Sequence, residues 1–104
     1  MNGKALVTGG ETRLGREIAL CLASRGLDVA VQYHASAAEA EEVTKACRSM
    51  GVISEILAAD LTNEDQVLAL VPAAAQALGG PLTVLVNSAS VFEKDTIQPG
   101  TRDS

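Results

Sequence analysis

Short runs of β-branched and aliphatic residues alternate with longer alanine-rich stretches of helical period from Lys4 to Asn87. Lys4-Ala5-Leu6-Val7-Thr8 is an apolar run closed by Gly9-Gly10, which reads as a buried strand and a turn. Leu14, Ile18, Cys21 and Leu22 recur at helical spacing between Arg13 and Arg25, and Gly26 supplies the stop. Leu27 to Tyr33 reads as a second strand. Ser36 and Glu39 have the spacing of a capping box heading a helix that runs to about Met50, with Gly51 as its stop. Val52 to Leu57 is a third strand. Asn63 caps a third helix, with Glu64 and Asp65 in the first turn, where the helix dipole favours anions. Pro72 inside this stretch predicts a kink or a restarted turn near Val71. Gly79-Gly80-Pro81 ends it, and Leu82 to Asn87 is a fourth strand. Residues 93–104 lack apolar periodicity and read as a loop or disordered end.

Strands separated by helices favour parallel pairing through right-handed crossovers. The expected fold is therefore α/β, a Rossmann-type doubly wound parallel sheet with four strands and three intervening helices. At 104 residues this is one unit, residues 1–104. An apolar fraction of 47% excludes a chain too polar to build a core. Thirteen acidic against eight basic residues give a net charge of −5, which lacks the basic face that a nucleic-acid binder needs. No apolar run approaches the roughly 20 residues of a membrane span. Met1 to Lys4 lead straight into the first strand without a signal-peptide core, so a cytoplasmic protein is expected. Cys21 and Cys47 form neither a CxxC nor a zinc spacing and read as reduced thiols, with no metal site.

Ligands of such sheets bind beyond the carboxyl ends of the strands, where the strand order reverses. The first of those ends carries Thr8-Gly9-Gly10-Glu11-Thr12-Arg13-Leu14-Gly15. Gly9 suits a tight turn, and Gly15 lets the helix approach the sheet. The helix-opening amides between them face a space suited to a diphosphate. A structural turn without ligand is the plainer reading of the same residues.

Thr8-Gly9-x-x-x-Arg13-x-Gly15 resembles the TGxxxGxG loop of short-chain dehydrogenases/reductases, in the TGxxxRxG form of pteridine reductases. Three further segments resemble that family in the right order. They are Tyr33-His34-Ala35-Ser36 after strand two, Ala59-Asp60-Leu61 after strand three, and Leu85-Val86-Asn87-Ser88-Ala89-Ser90-x-Phe92 after strand four. The resemblance implies a cofactor site made of Thr8, Gly9, Arg13, Leu14, Gly15, Tyr33, His34, Ser36, Asp60, Leu61, Asn87, Ser88, Ala89 and Ser90. It also implies a substrate edge at Ser90 and Phe92, whose ring would stack on a flat heterocycle. Asp60 would bond the adenine amino group, and Asn87 to Ser90 would line the nicotinamide ribose. The plain structural readings are a turn residue for Asp60, a strand-end bond for Asn87, a helix cap for Ser36, a solvated helix residue for Arg13, and loop packing for Phe92.

The segment from Gln32 to Ala38 has no carboxylate of the kind that holds the ribose 2′-hydroxyl of NAD. The resemblance therefore implies NADP over NAD, with Arg13, His34 and Ser36 around the 2′-phosphate, although Ala35 stands where the family usually has an arginine. Short-chain reductases pair the hydride with a proton from a tyrosine helped by a lysine in Tyr-x-x-x-Lys. That motif occurs nowhere here, and Tyr33 is the single tyrosine. The expectation is the N-terminal, cofactor-binding half of an NADP-dependent reductase acting on a pterin or related small carbonyl or imine, with no catalytic residue of its own. Such a half would bind nucleotide weakly and turn over nothing. The alternative is a non-catalytic nucleotide-binding module. A receiver-type domain would need clustered acidic residues at the end of strand one, and Val7-Thr8-Gly9 has none. The apolar edge of strand four predicts a homo-oligomer or a poorly soluble chain.

Overall fold

The computed structural model describes residues 3–10 and 12–87. Seven elements follow in the order β1 Lys4–Thr8, α1 Arg13–Ser24, β2 Asp28–Tyr33, α2 Ala37–Arg48, β3 Ser54–Ala58, α3 Glu64–Leu78 and β4 Val84–Asn87. All pairings are parallel, in the order β3-β2-β1-β4. The expected sheet of four strands and three helices is therefore present. Val7 faces Val31 on one side and Val86 on the other. The chain steps outward from β1 to β2 to β3, then returns to the opposite side of β1 for β4. The reversal lies between β1 and β4.

Alternation within the strands separates two apolar layers, because successive side chains of a strand point to opposite faces. Val7, Val29 and Val31 pack with Ala19 and Ala23 of α1 and Ala40, Val43 and Cys47 of α2. Leu6 and Ala30 pack with Leu70, Ala74 and Leu78 of α3 on the other face. The starts of three strands are tied by Asp28. It accepts from Lys4 Nζ at 2.8 Å and from the Ile53 amide at 2.9 Å. Burial pushes the Asp28 carboxyl up, and the Lys4 ammonium and Ile53 N–H outweigh this, holding it below its ordinary value.

Helix details depart from the periodic reading in three places. The face of α1 against the sheet is the small-residue row Gly15, Ala19 and Ala23, whereas Leu14 is 60% exposed and Cys21 is exposed. Ile18 and Leu22 are half-buried at the flank of that row. Small side chains let the helix axis approach the strands, so they outcompete the bulkier apolar set. Ser36 stands at the N-cap of α2 with ψ 78°, and its side chain makes no cap bond, so the capping box is not formed. The helix instead carries Glu39 in its first turn and Lys45 and Arg48 in its last, as its dipole favours. Finally, α3 continues as one helix through Pro72 rather than restarting near Val71. Pro72 lies on the solvent side, and Leu68, whose carbonyl it cannot serve, is 68% exposed, so water can take that bond. Asn63 caps α3 as expected, accepting from the Gln66 amide at 3.2 Å.

Candidate functional site

The carboxyl ends of the strands converge on the turn after β1. Gly9 adopts φ 65°, a left-handed conformation that a side chain disfavours. Gly10 follows with its backbone against β2, and a Cβ there would run into Val31 Cγ1. This requirement for a second glycine was not read from the sequence. The turn is bolted to β2 by one residue. The Gly9 amide donates to Gln32 Oε1 at 2.7 Å, and the Gly10 amide donates to the Gln32 carbonyl at 2.9 Å. The Gln32 amide nitrogen donates to the Ala59 carbonyl at 2.7 Å.

Thr12 closes the other side of the turn. Its amide and hydroxyl both donate to the Gly9 carbonyl, at 2.9 and 2.7 Å, and its hydroxyl oxygen accepts from the Gly15 amide at 3.0 Å. Thr12 is thus the N-cap of α1. The open amides are consequently fewer than the turn as a whole contains. Those of Gly9, Gly10, Thr12 and Gly15 have protein acceptors, whereas those of Arg13 and Leu14 have none among the described residues. Both belong to exposed residues at the positive end of the helix, and the first turn of α1 contains no acidic residue.

The remaining predicted residues gather at the same rim. The Thr8 hydroxyl lies 2.8 Å from Asn87 Oδ1 and 3.3 Å from the Val86 carbonyl, tying the ends of β1 and β4 at the reversal. Among the described residues, Asn87 is thus bonded at the strand end to the Thr8 side chain rather than to neighbouring backbone. Asp60 Oδ1 accepts from the Thr62 amide at 2.9 Å and hydroxyl at 2.7 Å, so the turn role is also present. Its other oxygen lies 3.9 Å from His34 Nε2. The Thr62 hydroxyl, then the Thr62 amide, lower the Asp60 pKa, with His34 adding a small push in the same direction against slight desolvation. Asp60 is thus ionised at neutral pH. Tyr33 is half-buried against the α1–α2 layer, and Leu61 is half-buried against the α3 layer. Arg13 lines a cleft of about 420 Å³ between α1 and α2, with Arg16 beside it and Glu39 and Glu42 across it. Ser88, Ala89, Ser90, Phe92 and the 93–104 segment lie outside the described residues.

A second opening of about 430 Å³ is mostly apolar and reaches the strand ends beside the glycine turn, where Thr8, Thr62 and Asn87 line it. It lies between α3 and the face that β1 and β4 turn toward it, walled by Leu6, Leu61, Val67, Leu70, Val71 and Leu85. Among the described residues, no group of His, Cys, Asp and Glu could hold a metal, and no helix is long and apolar enough to cross a membrane.

Residues 3–103 match the family model for short chain dehydrogenase. The chain belongs to the short-chain dehydrogenase family. It is 40% identical over 91 residues to the 3-oxoacyl-[acyl-carrier-protein] reductase FabG of Staphylococcus aureus, covering 88% of this chain and 37% of that protein. It is 34% identical over 106 residues to the short-chain dehydrogenase/reductase homolog YusS of Bacillus subtilis, covering 99% of this chain and 96% of that protein. The crystal structure of FolM alternative dihydrofolate reductase 1 from Brucella canis, complexed with NADP, superposes with a TM-score of 0.80 at 36% identity. It covers 92% of this chain and 38% of that one. The chain thus spans little more than a third of two of these proteins and nearly all of the third.

For a short-chain dehydrogenase, the glycine turn, the Asp60 segment and the β4 end are the expected rim of the sheet. Sequence reasoning found that rim and missed what holds it: Gln32, Thr12 and Gly10. A carboxamide between Val31 and Tyr33 in a buried parallel strand was the available signal, since buried polar side chains are uncommon without a partner.

Proposed function

We propose that this chain is the dinucleotide-binding part of an NADP-dependent short-chain reductase of the pteridine-reductase kind. The observation that carries the reading is the pair of outward amides of Arg13 and Leu14, presented at a helix N-terminus by a turn in which the amides of Gly9, Gly10, Thr12 and Gly15 are already bonded. Two open N–H groups and the helix dipole suit one phosphate of the diphosphate. The residues present also fit the 2′-phosphate. No carboxylate lies between Gln32 and Ala38 to repel it, and Arg13 at the start of α1 with His34 and Ser36 after β2 are the residues that would hold it. Asp60, with one oxygen committed to Thr62, keeps the other for the adenine amino group beside Leu61. Thr8, Gly9, Gly15, Tyr33 and Asn87 shape the cradle, and the resemblance assigns Ser88, Ala89, Ser90 and Phe92 to the nicotinamide and substrate side. That NADP accompanies the FolM structure supports the same choice.

When bound, the nicotinamide supplies a hydride, to a pterin or related imine or carbonyl in this reading. The chain's own residues hold and orient the nucleotide. They do not deliver the matching proton. Tyr33 is the one tyrosine, it packs into the α1–α2 layer, and no Tyr-x-x-x-Lys occurs. The 104-residue chain therefore binds nucleotide without turnover. The test is calorimetric titration with NADPH and NADH. The expected outcome is NADPH binding with a Kd of about 0.1–1 mM, weaker NADH binding, and a loss of the difference in Arg13→Ala. No heat with either nucleotide, in a chain shown to be folded, would refute the reading.

A second reading, a non-catalytic nucleotide-binding module, is favoured by the match to YusS over 96% of that protein's length. It requires NADPH binding at about 1 µM or tighter, so the same titration separates the two. In either reading the partner is a small molecule. Self-association uses β4, the edge strand, whose Leu85 is 60% exposed in the apolar groove on the α3 face.

A further inference from the structure

We infer that Gln32 is a positioning residue that sets the spacing between the diphosphate-binding turn and the adenosine end of the site. This rests on the dinucleotide reading above and adds a residue that no resemblance assigned. Gln32 is 1% exposed at the end of β2, the strand between β1 and β3. Its carboxamide grips the chain just beyond both neighbours, accepting from the Gly9 amide and donating to the Ala59 carbonyl, each at 2.7 Å. The orientation of the carboxamide follows from its partners: an N–H can only donate and a carbonyl can only accept, so Oε1 must face Gly9.

Both grips lead directly to ligand-facing groups. The Gly9 carbonyl receives the Thr12 amide and hydroxyl, and Thr12 in turn caps the turn that presents the Arg13 and Leu14 amides. Ala59, whose amide donates to the Tyr33 carbonyl at 3.0 Å, immediately precedes Asp60. One buried side chain thus holds the phosphate end and the adenine end at a set separation. An apolar side chain of similar volume would leave the Gly9 N–H and the Ala59 carbonyl buried without partners. A preset separation lowers the ordering cost of binding a ligand that must reach both ends at once.

The test compares Gln32→Glu and Gln32→Leu with the unaltered 104-residue chain, titrated with NADP at several pH values and at temperatures where far-UV dichroism shows each to be fully folded. Protonated, the introduced carboxyl can accept from Gly9 and donate to Ala59. Ionised, it opposes the Ala59 carbonyl with a second acceptor. Gln32→Glu should therefore bind NADP nearly as the unaltered chain does at low pH, and about tenfold more weakly, relative to that chain, above its carboxyl pKa. Gln32→Leu should be weakened about tenfold at every pH. A purely structural Gln32 would lower the melting temperature of both variants and leave Kd and its pH profile unchanged in the folded protein, and that result overturns the inference. Should Gln32→Leu not fold, the pH profile of Gln32→Glu decides. If the unaltered chain fails to bind NADP, the dinucleotide reading falls. The positioning claim is then decided by NMR of Gln32→Glu: the Gly9 and Asp60 amide resonances must titrate with one shared midpoint, and a shift at Gly9 alone refutes it.

Discussion

Gly10→Ala isolates a purely steric demand of the glycine turn. Positive φ values occur at Gly9, Gly26, Gly51 and Gly79 but not at Gly10, so an alanine there meets no backbone penalty of the left-handed kind. It meets Val31. The added Cβ would overlap Val31 Cγ1 and lie 3.2 Å from Val31 Cβ, an atom that no rotation about χ1 can move away. Val31 is fully buried between Val7 and Ile56 in the sheet, so β2 cannot retreat cheaply. Overpacking of this kind costs about 1–3 kcal/mol, which for a chain of this size lowers Tm by about 4–8 °C per kcal/mol. Val31→Ala alone should cost about 2 kcal/mol, from lost apolar burial and the cavity it leaves. The double variant places the new methyl group in that cavity. It should be more stable than the sum of the single effects by at least about 1 kcal/mol, measured as urea midpoints in a double-mutant cycle. Gly9→Ala serves as the control. Its cost of about 1–2 kcal/mol comes from φ 65° and should not be relieved by Val31→Ala. Additive behaviour of Gly10→Ala with Val31→Ala, or a Gly10→Ala midpoint equal to that of the unaltered chain, would refute the packing argument.

Thr12→Ala removes the cap of α1 and should cost about 1 kcal/mol in urea denaturation while also weakening NADPH binding, because the same hydroxyl orders the first turn. Asp28→Asn should lose about 2 kcal/mol near neutral pH. The folded Asp28 carboxyl titrates below its unfolded value of 3.8, so its stabilisation is complete above that value and disappears as pH falls through the folded pKa. The stability gap between Asp28→Asn and the unaltered chain should therefore close in acid; a gap that persists there would show that charge is not its cause. Leu85→Lys puts a charge in the apolar groove on edge strand β4 and should convert a concentration-dependent oligomer to a monomer in size-exclusion chromatography. A stable, dilute monomer of the unaltered chain would count against association through that edge.

The strand and helix alternation, the turn at Gly9, the cap at Asn63 and the stop at Gly51 were legible because each depends on a few consecutive residues. Local backbone preferences and side chain–backbone bonds within one turn decide them. The same local code misled at Ser36, where a capping-box pattern exists and the chain enters α2 with a dihedral that leaves it unused. At Pro72 the helix does not restart, because the cost there depends on whether the orphaned carbonyl meets water or core. Periodicity marked an apolar face on α1, yet sheet packing selected the narrower row of Gly15, Ala19 and Ala23, because closeness of approach outweighs side-chain size there. Gln32 lay furthest from sequence reasoning. Its partners are 23 and 27 residues away in the chain, and they become neighbours once β1, β2 and β3 are parallel and in register. The gathering of these segments at the strand ends could thus be read from residue order. Which amides of the turn remain open, and which buried side chain holds them there, follow from contacts that exist after the sheet has formed.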